Sequence, residues 1–179
     1  MITIRALLPK YHDILEEQGT AQYLNCKNIS VSFEEAQSTD ELWRTHDEAL
    51  QLMKVQGTKP TQSLLDLKNE LADRLFQACC FCEHQCRVNR KKTAGKCGVQ
   101  ESRIASEFLH YGEETVLVPS YTIFFSGCTF HCVFCQNWDI SQNPCGVAIE
   151  PKALVTAVKQ RKKQGARNVN WVGGDPTSN

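Results

Sequence analysis

Apolar positions in the first part of the chain fall into two helical stretches. Residues 1–35 show no strong period and read as a loosely packed arm. From Thr39 the pattern turns helical, with Leu42, Ala49, Leu50 and Met53 recurring near the 3.6-residue period and Ser38, Thr39 or Asp40 available as N-cap. Residues 55–60, Val-Gln-Gly-Thr-Lys-Pro, break the pattern. A second helix then starts at Thr61 or Ser63 and carries Leu64, Leu67, Leu71 and Leu75 on one stripe to about Phe76. Both helices read as packing elements without chemistry.

The second half alternates differently. Residues 104–109 and 115–118 read as short strands around a turn at Tyr111-Gly-Glu-Glu. Tyr121-Thr-Ile-Phe-Phe125 is a β-branched and aromatic run, the pattern of a buried strand. Glu150-Pro151 opens a helix with Leu154, Val155 and Val158 on one face, closed by Gly165. Residues 168–172 form a further strand, ended by Gly173-Gly174-Asp175-Pro176. Strand, cysteine loop, helix, strand and Gly-Gly in that order describe a βαβ unit, so the two strands are expected to run parallel. Both loops then sit at the C-terminal ends of adjacent strands, where α/β sheets place their sites.

Composition narrows the class. Hydrophobic residues make up 41% and charged residues 22% of the 179, which excludes a wholly disordered chain. A net charge of zero gives no bias towards nucleic acid or an anionic membrane. The balance hides an asymmetry: residues 1–78 hold 12 acids and 8 bases, and residues 79–179 hold 8 acids and 12 bases. Nine of the ten cysteines lie in the basic half, between Cys79 and Cys145; only Cys26 stands apart. The apolar run before Pro9 is too short for a secretory signal, and no run of about 18 apolar residues exists to span a membrane. Clustered cysteines without an export signal point to metal or redox chemistry in a reducing cytoplasm rather than to disulfides. The basic residues Arg87, Arg90, Lys91, Lys92 and Lys96 read as a solvated, charge-balancing face, and so does the run from Lys159 to Lys163.

The loop Cys128-Thr-Phe-His-Cys132-Val-Phe-Cys135 spaces three thiols as C-x3-C-x2-C. Three thiolates on a short loop reach three irons of a cubane and leave the fourth open, whereas an electron-transfer cluster is closed by four. An open position admits a small molecule, as it does in catalytic zinc sites. His131 is too close to Cys132 to complete a zinc set, and the flanking Phe125, Phe130, Val133, Phe134 and Trp138 are expected to exclude water. Ser126-Gly-Cys128-x3-Cys132-x-Phe134-Cys135-Gln-Asn137 resembles the cluster loop of the radical S-adenosylmethionine (SAM) superfamily, and the longer run from Thr122 to Ile140-Ser-Gln resembles its pyruvate-formate-lyase-activating-enzyme-like (PflX-type) subgroup. The resemblance implies a [4Fe-4S] cluster whose open iron chelates SAM. One electron then cleaves a sulfur–carbon bond to give methionine and a 5′-deoxyadenosyl radical.

Gly173-Gly174-Asp175, 38 residues after Cys135, resembles that superfamily's Gly-Gly-Glu motif, which implies contact with the amino group of SAM. The acid here is one methylene shorter, so a water or a small backbone shift is expected to bridge the difference. Ahead of the loop, Cys79, Cys82, Cys86 and Cys97 form a C-x2-C-x3-C-x10-C set, with Cys80 able to replace Cys79. Four thiolates are a closed shell, suited to zinc or to a second iron–sulfur cluster, and the spacing does not choose between them. This set also resembles the PflX-type subgroup. His110 reads as a satisfied histidine at a turn, Asn137 as a cap or a donor to a cluster sulfur, and Cys26 and Cys145 as free thiols.

The expected fold is α/β: the N-terminal part of a radical SAM partial (β/α)6 barrel, preceded by a helical segment (1–78) and a cysteine-rich metal-binding segment with short strands (79–118), with an incomplete core at 119–179. The chain stops after the second core strand, so it reads as C-terminally truncated and as a poor catalyst by itself. The expected function is reductive cleavage of SAM by an activating-enzyme-like oxidoreductase. Its partners are a reductant such as flavodoxin or ferredoxin and a partner protein or small molecule as substrate, with no nucleic acid and no membrane. The alternatives are a non-catalytic iron–sulfur or zinc-binding fragment and an electron-transfer module.

Overall fold

Leu64, Leu67 and Leu71 line one stripe of a helix, and the first of two units assembles around them. The computed structural model describes residue 6, residues 8–51 and residues 60–179; Met53 and most of the 55–60 breaker lie outside the described residues. The chain divides into Met1–Leu75 and Phe76–Asn179.

In the first unit the helices are α1 (Pro9–Leu15), α2 (Gln22–Asn28), α3 (Thr39–Gln51) and α4 (Leu64–Gln77). The same device starts both long helices. Ser38 Oγ accepts the Glu41 N–H at 3.3 Å while Glu41 Oε2 accepts the Ser38 N–H at 2.8 Å. Ser63 and Asp66 repeat the exchange at 3.3 and 2.8 Å. Each reciprocal pair satisfies two amides that the first turn leaves without partners. The interior holds Leu42, Ala49 and the α4 leucines, joined by Cys26 and Ile29.

The arm expected over residues 1–35 is thus corrected: α2 and the segment after it belong to the core. The segment after α2 lacks a period because backbone pairing holds it. The Leu64 N–H donates to Ile29 O at 2.9 Å, and Gln62 exchanges two side-chain hydrogen bonds with the Phe33 backbone at 3.0 and 3.1 Å.

The second unit is a four-stranded sheet in the order β3-β1-β2-β4, built from β1 (Arg103–His110), β2 (Ser120–Phe125), β3 (Val147–Ala148) and β4 (Asn168–Gly173). β1 pairs antiparallel with β2 and β3. β2 pairs parallel with β4, from Ser120 opposite Asn168 to Phe125 opposite Gly173, as the βαβ pattern predicts. The helices are α5 (Trp138–Gln142) and α6 (Pro151–Lys163), and a 3-10 turn covers Pro176–Ser178. Tyr121, Ile123 and Phe125 are buried under Leu154, Ala157 and Val158 of α6.

Three readings of this half are corrected. Val155 points outward at 51% exposure, because it sits about 100° around the helix from Leu154. Residues 115–118 are a turn rather than a strand. The Leu117 N–H closes on Glu114 O at 2.8 Å, and Asn168 Nδ2 donates to Leu117 O at 2.8 Å, so side chains take the carbonyls a ladder would use. Arg161 is not simply solvated: it passes over the Tyr121 ring at 5.5 Å and pairs with Glu107 of β1, pinning α6 to the sheet.

The caps and the stripe predict a ranking of stability losses. Leu67→Ala is expected to cost about 3 kcal/mol, and Ser63→Ala about 1 kcal/mol, in urea unfolding followed by circular dichroism.

Candidate functional site

β2 delivers the chain directly into the cysteine loop. Its first residue, Ser126, is buried and ties the loop base: its N–H donates to Arg103 O at 3.0 Å, its hydroxyl to Ile140 O at 3.2 Å, and it accepts the Cys145 N–H at 2.8 Å. The Gly127 N–H also meets Ile140 O, at 2.9 Å. The loop therefore opens and closes at one point. Cys128 is buried, Cys135 half-buried and Cys132 exposed. The Phe130 N–H donates to Cys128 Sγ at 3.4 Å, and Ser141 Oγ of α5 lies 3.7 Å from Cys135 Sγ. Burial pushes the Cys128 thiol up; the Phe130 N–H opposes this, and the charges of Asp175, Cys135 and Cys132 add to it. Cys132, Cys135 and the Asp175 carboxyl thus lie within electrostatic reach of Cys128.

β4 brings the Gly-Gly-Asp loop to the same place. The Gly174 N–H donates to Phe125 O and the Asp175 N–H to Gly127 O, both at 2.9 Å. A Cβ on Gly174 would land on the Gly127 carbonyl, so glycine is required there by close approach. Asp175 Oδ2 accepts the Thr129 hydroxyl, and Oδ1 accepts the Thr177 N–H at 3.0 Å and the Thr177 hydroxyl at 2.7 Å. Burial raises the Asp175 carboxyl, but the hydrogen bonds from Thr129 and Thr177 outweigh it and hold the group below its ordinary value. The short acid is fixed by two hydroxyls of its own chain.

The earlier cysteines are gathered by backbone pairing. The Cys79 N–H donates to Val88 O at 2.9 Å and the Arg87 N–H to Cys79 O at 2.8 Å, closing a hairpin tightened by the Gln85 N–H on Cys82 O at 3.0 Å. Gln85 and Arg87 flank Cys86 with φ of 41° and 57°, a left-handed conformation that side chains disfavour and that marks a constrained turn. The Lys96 N–H donates to Cys86 Sγ at 3.2 Å. Two links join this segment to the loop after β2: the Cys128 N–H meets Cys97 O at 3.2 Å, and His84 Nε2–H donates to Thr129 O at 2.8 Å.

All ten cysteines are free, so both sets are chemically available as ligands. Among the described residues no group of three or more His, Cys, Asp or Glu side chains is gathered to hold a metal ion. A cubane separates its thiolates by the breadth of the cluster, so a three-thiol loop does not require them to converge on one point. The soft donors, the N–H aimed at Cys128 and the glycine-lined approach fit an iron–sulfur group.

The apolar shield expected around the loop is corrected. Phe125 is buried, but Phe130 is 66%, Phe134 83%, Trp138 62% and Val133 fully exposed. The solvated basic face is corrected at Arg90, which is 1% exposed, lies 4.8 Å over the Phe76 ring and donates to Ser178 O at 2.5 Å. His110 Nδ1 stands 3.5 Å from Glu113 Oε1, which also accepts Asn170 Nδ2 of β4 at 2.8 Å. Asn137 occupies the N-cap position of α5 without a side-chain cap bond. Thr129, His84 and Ser126 carry much of the geometry, and the sequence reading gave none of them a role of its own. Only the position of Thr129 between two cysteines hinted at its place.

The comparisons bear on this arrangement. Residues 122–179 match the model of the Radical SAM superfamily. That stretch spans both the cysteine loop and the Gly-Gly-Asp loop. The chain is also similar to the "Uncharacterized protein MJ0674" of Methanocaldococcus jannaschii, with 42% identity over 186 residues, covering 95% of this chain and 54% of the relative. The chain therefore spans about half the length of the curated relative it matches. No solved structure matches. No described helix is long and apolar enough to cross a membrane.

Exposure predicts an order of thiol reactivity in the reduced, metal-free protein. Iodoacetamide is expected to label the exposed Cys132 and Cys145 first, and the buried Cys26, Cys79 and Cys128 about tenfold more slowly. Peptide mass spectrometry over a time course reads the order directly.

Proposed function

We propose that the chain forms the N-terminal part of a radical SAM enzyme of the PflX-type, activating-enzyme-like subgroup, acting in the reducing cytoplasm. Cys128, Cys132 and Cys135 hold a [4Fe-4S] cluster, and Gly173, Gly174 and Asp175 seat the amino-acid end of SAM. The observation that carries this reading is the parallel pairing of β2 and β4, which sets the Gly-Gly-Asp backbone directly against Gly127 at the base of the cysteine loop.

Cys128, Cys132 and Cys135 would hold a cluster with one iron free of protein ligand, and that group would supply the one-electron reduction that cleaves SAM. The protein's own groups prepare that chemistry. The Phe130 N–H and the Ser141 hydroxyl face two ligand sulfurs, where hydrogen bonds tune a cluster's potential. Gly174 lets the two loops touch, and Asp175, kept ionised by Thr129 and Thr177, offers a carboxylate to an ammonium group. Cys79, Cys82, Cys86 and Cys97 hold zinc or a second iron–sulfur cluster, with the Lys96 N–H on Cys86 Sγ as the kind of donor a ligated thiolate accepts. Flavodoxin or ferredoxin is the reductant, and the substrate is a partner protein or a small molecule.

Anaerobic reconstitution with iron and sulfide tests this. SAM is expected to change the electron paramagnetic resonance spectrum of the reduced cluster; an unchanged spectrum favours a non-catalytic or electron-transfer module instead. Iron and zinc counts per chain identify what the Cys79 set holds. Cys132→Ala is expected to abolish the chromophore of the Cys128 loop, and its survival undiminished in that variant rules out the ligand assignment.

A further inference from the structure

We infer that Thr129, braced from behind by His84, is a positioning residue that aims the Asp175 carboxylate at the ammonium end of SAM. The inference rests on the reading of Gly173, Gly174 and Asp175 as the SAM seat.

Thr129 stands between the first two cysteines of the loop and is 6% exposed. Its hydroxyl donates to Asp175 Oδ2, while Thr177 supplies two donors to Oδ1, at 3.0 and 2.7 Å. An ionised carboxylate offers about four acceptor positions; these donors take three, and the Thr129 backbone N–H also bears on the group. With both oxygens held, the carboxylate cannot turn about its Cβ–Cγ bond, so its direction is set before any ligand arrives. The Thr177 bonds are local, spanning two residues, and cap the 3-10 turn. The Thr129 bond spans 46 residues and is the side-chain link that fixes the acid relative to the cysteine loop.

Thr129 is itself placed from the other side. Its carbonyl accepts His84 Nε2–H at 2.8 Å, across 45 residues, from the turn between Cys82 and Cys86. A carbonyl only accepts, so the proton is on Nε2 of His84. The adjacent Cys128 N–H on Cys97 O, at 3.2 Å, holds the same stretch of backbone. A path of direct hydrogen bonds thus runs from the first cysteine segment through His84 and Thr129 to Asp175. A hydrogen bond that orients an ionised group is lost most clearly when an isosteric side chain without the hydroxyl replaces it.

The test uses the full chain carrying its reconstituted cluster, with SAM as the probe. Equilibrium dialysis and the SAM-induced change in the reduced-cluster spectrum are the readouts, and iron content is the control. Thr129→Val is expected to keep the iron of the wild type and bind SAM about tenfold more weakly. Thr129→Ser is expected to restore binding to within about twofold. His84→Ala is expected to weaken SAM binding about threefold, His84→Gln, which keeps an N–H donor, to recover it, and His84→Ala combined with Thr129→Val to be no weaker than Thr129→Val alone. Native SAM affinity in Thr129→Val overturns the inference, as does equal weakness in Thr129→Ser. Loss of iron in Thr129→Val also overturns it, since the residue then builds the cluster loop rather than aiming the acid. If the loaded wild type shows no response to SAM, the seat reading fails and this inference falls with it; if the wild type responds and the variants do not differ, only this inference fails.

Discussion

The pairing of two parallel strands is the constraint on which the rest of the second unit depends. β2 and β4 run together for six residue pairs and stop in register, Phe125 beside Gly173. Each then enters a loop, and the loops have nowhere to go but against each other. Gly127 O accepts the Asp175 N–H, and Gly174 leaves that carbonyl unobstructed. Parallel strands oblige their C-terminal loops to share one end of the sheet. The helix between them, α6, is held to the far face by Leu154, Ala157 and Val158 and by Arg161 on Glu107. Chemistry at the loop end therefore rests on packing at the helix face, and the two are separable in mutation.

Charge is handled by hydrogen bonds more than by ion pairs. The basic excess of the second half suggested cations spread around the thiols. Arg90 does something more specific: it is buried, stacked on Phe76 and bonded to the Ser178 carbonyl, joining the cysteine segment to the turn after Asp175. Asp175 meets hydroxyls and an amide instead of a cation. An acid satisfied by neutral donors keeps its full negative charge for an incoming ligand, whereas a lysine or arginine partner would cancel it. The carboxylate held in this way favours a cationic group at this end of the sheet.

The elements with a strong period were legible. The α4 leucines, the buried run of β2, the start of α6 at Pro151 and the parallel order of β2 and β4 follow from spacing and residue type. What escaped was held by other means. The segment around Ile29 has no period because Gln62 and the backbone fix it. Residues 115–118 carry strand-forming types, yet Asn168 and Arg167 take their carbonyls. At the site, the spacing of the cysteines and the Gly-Gly pair marked which loops matter, and the register of β2 and β4 explains why they meet. The roles of Thr129 and His84 were not legible because a threonine and a histidine report nothing about partners more than 40 residues away. Burial also cannot be read from residue type alone: Phe130 and Phe134 are exposed, and Arg90 is not.

The short acid then has a physical rationale. A glutamate reaches farther but adds a rotatable bond, and ordering it costs more conformational entropy. Asp175 gives up that reach, and its two oxygens are clamped by Thr129 and Thr177 within a loop already pinned to Gly127. Shorter side chain, bound backbone and buried hydroxyl act in the same direction, towards one carboxylate orientation. The same clamp makes the orientation depend on the Cys128–Cys132 stretch, because Thr129 lies inside it. A change in how those cysteines are held therefore reaches Asp175 through the Thr129 side chain as well as through the backbone bond to Gly127.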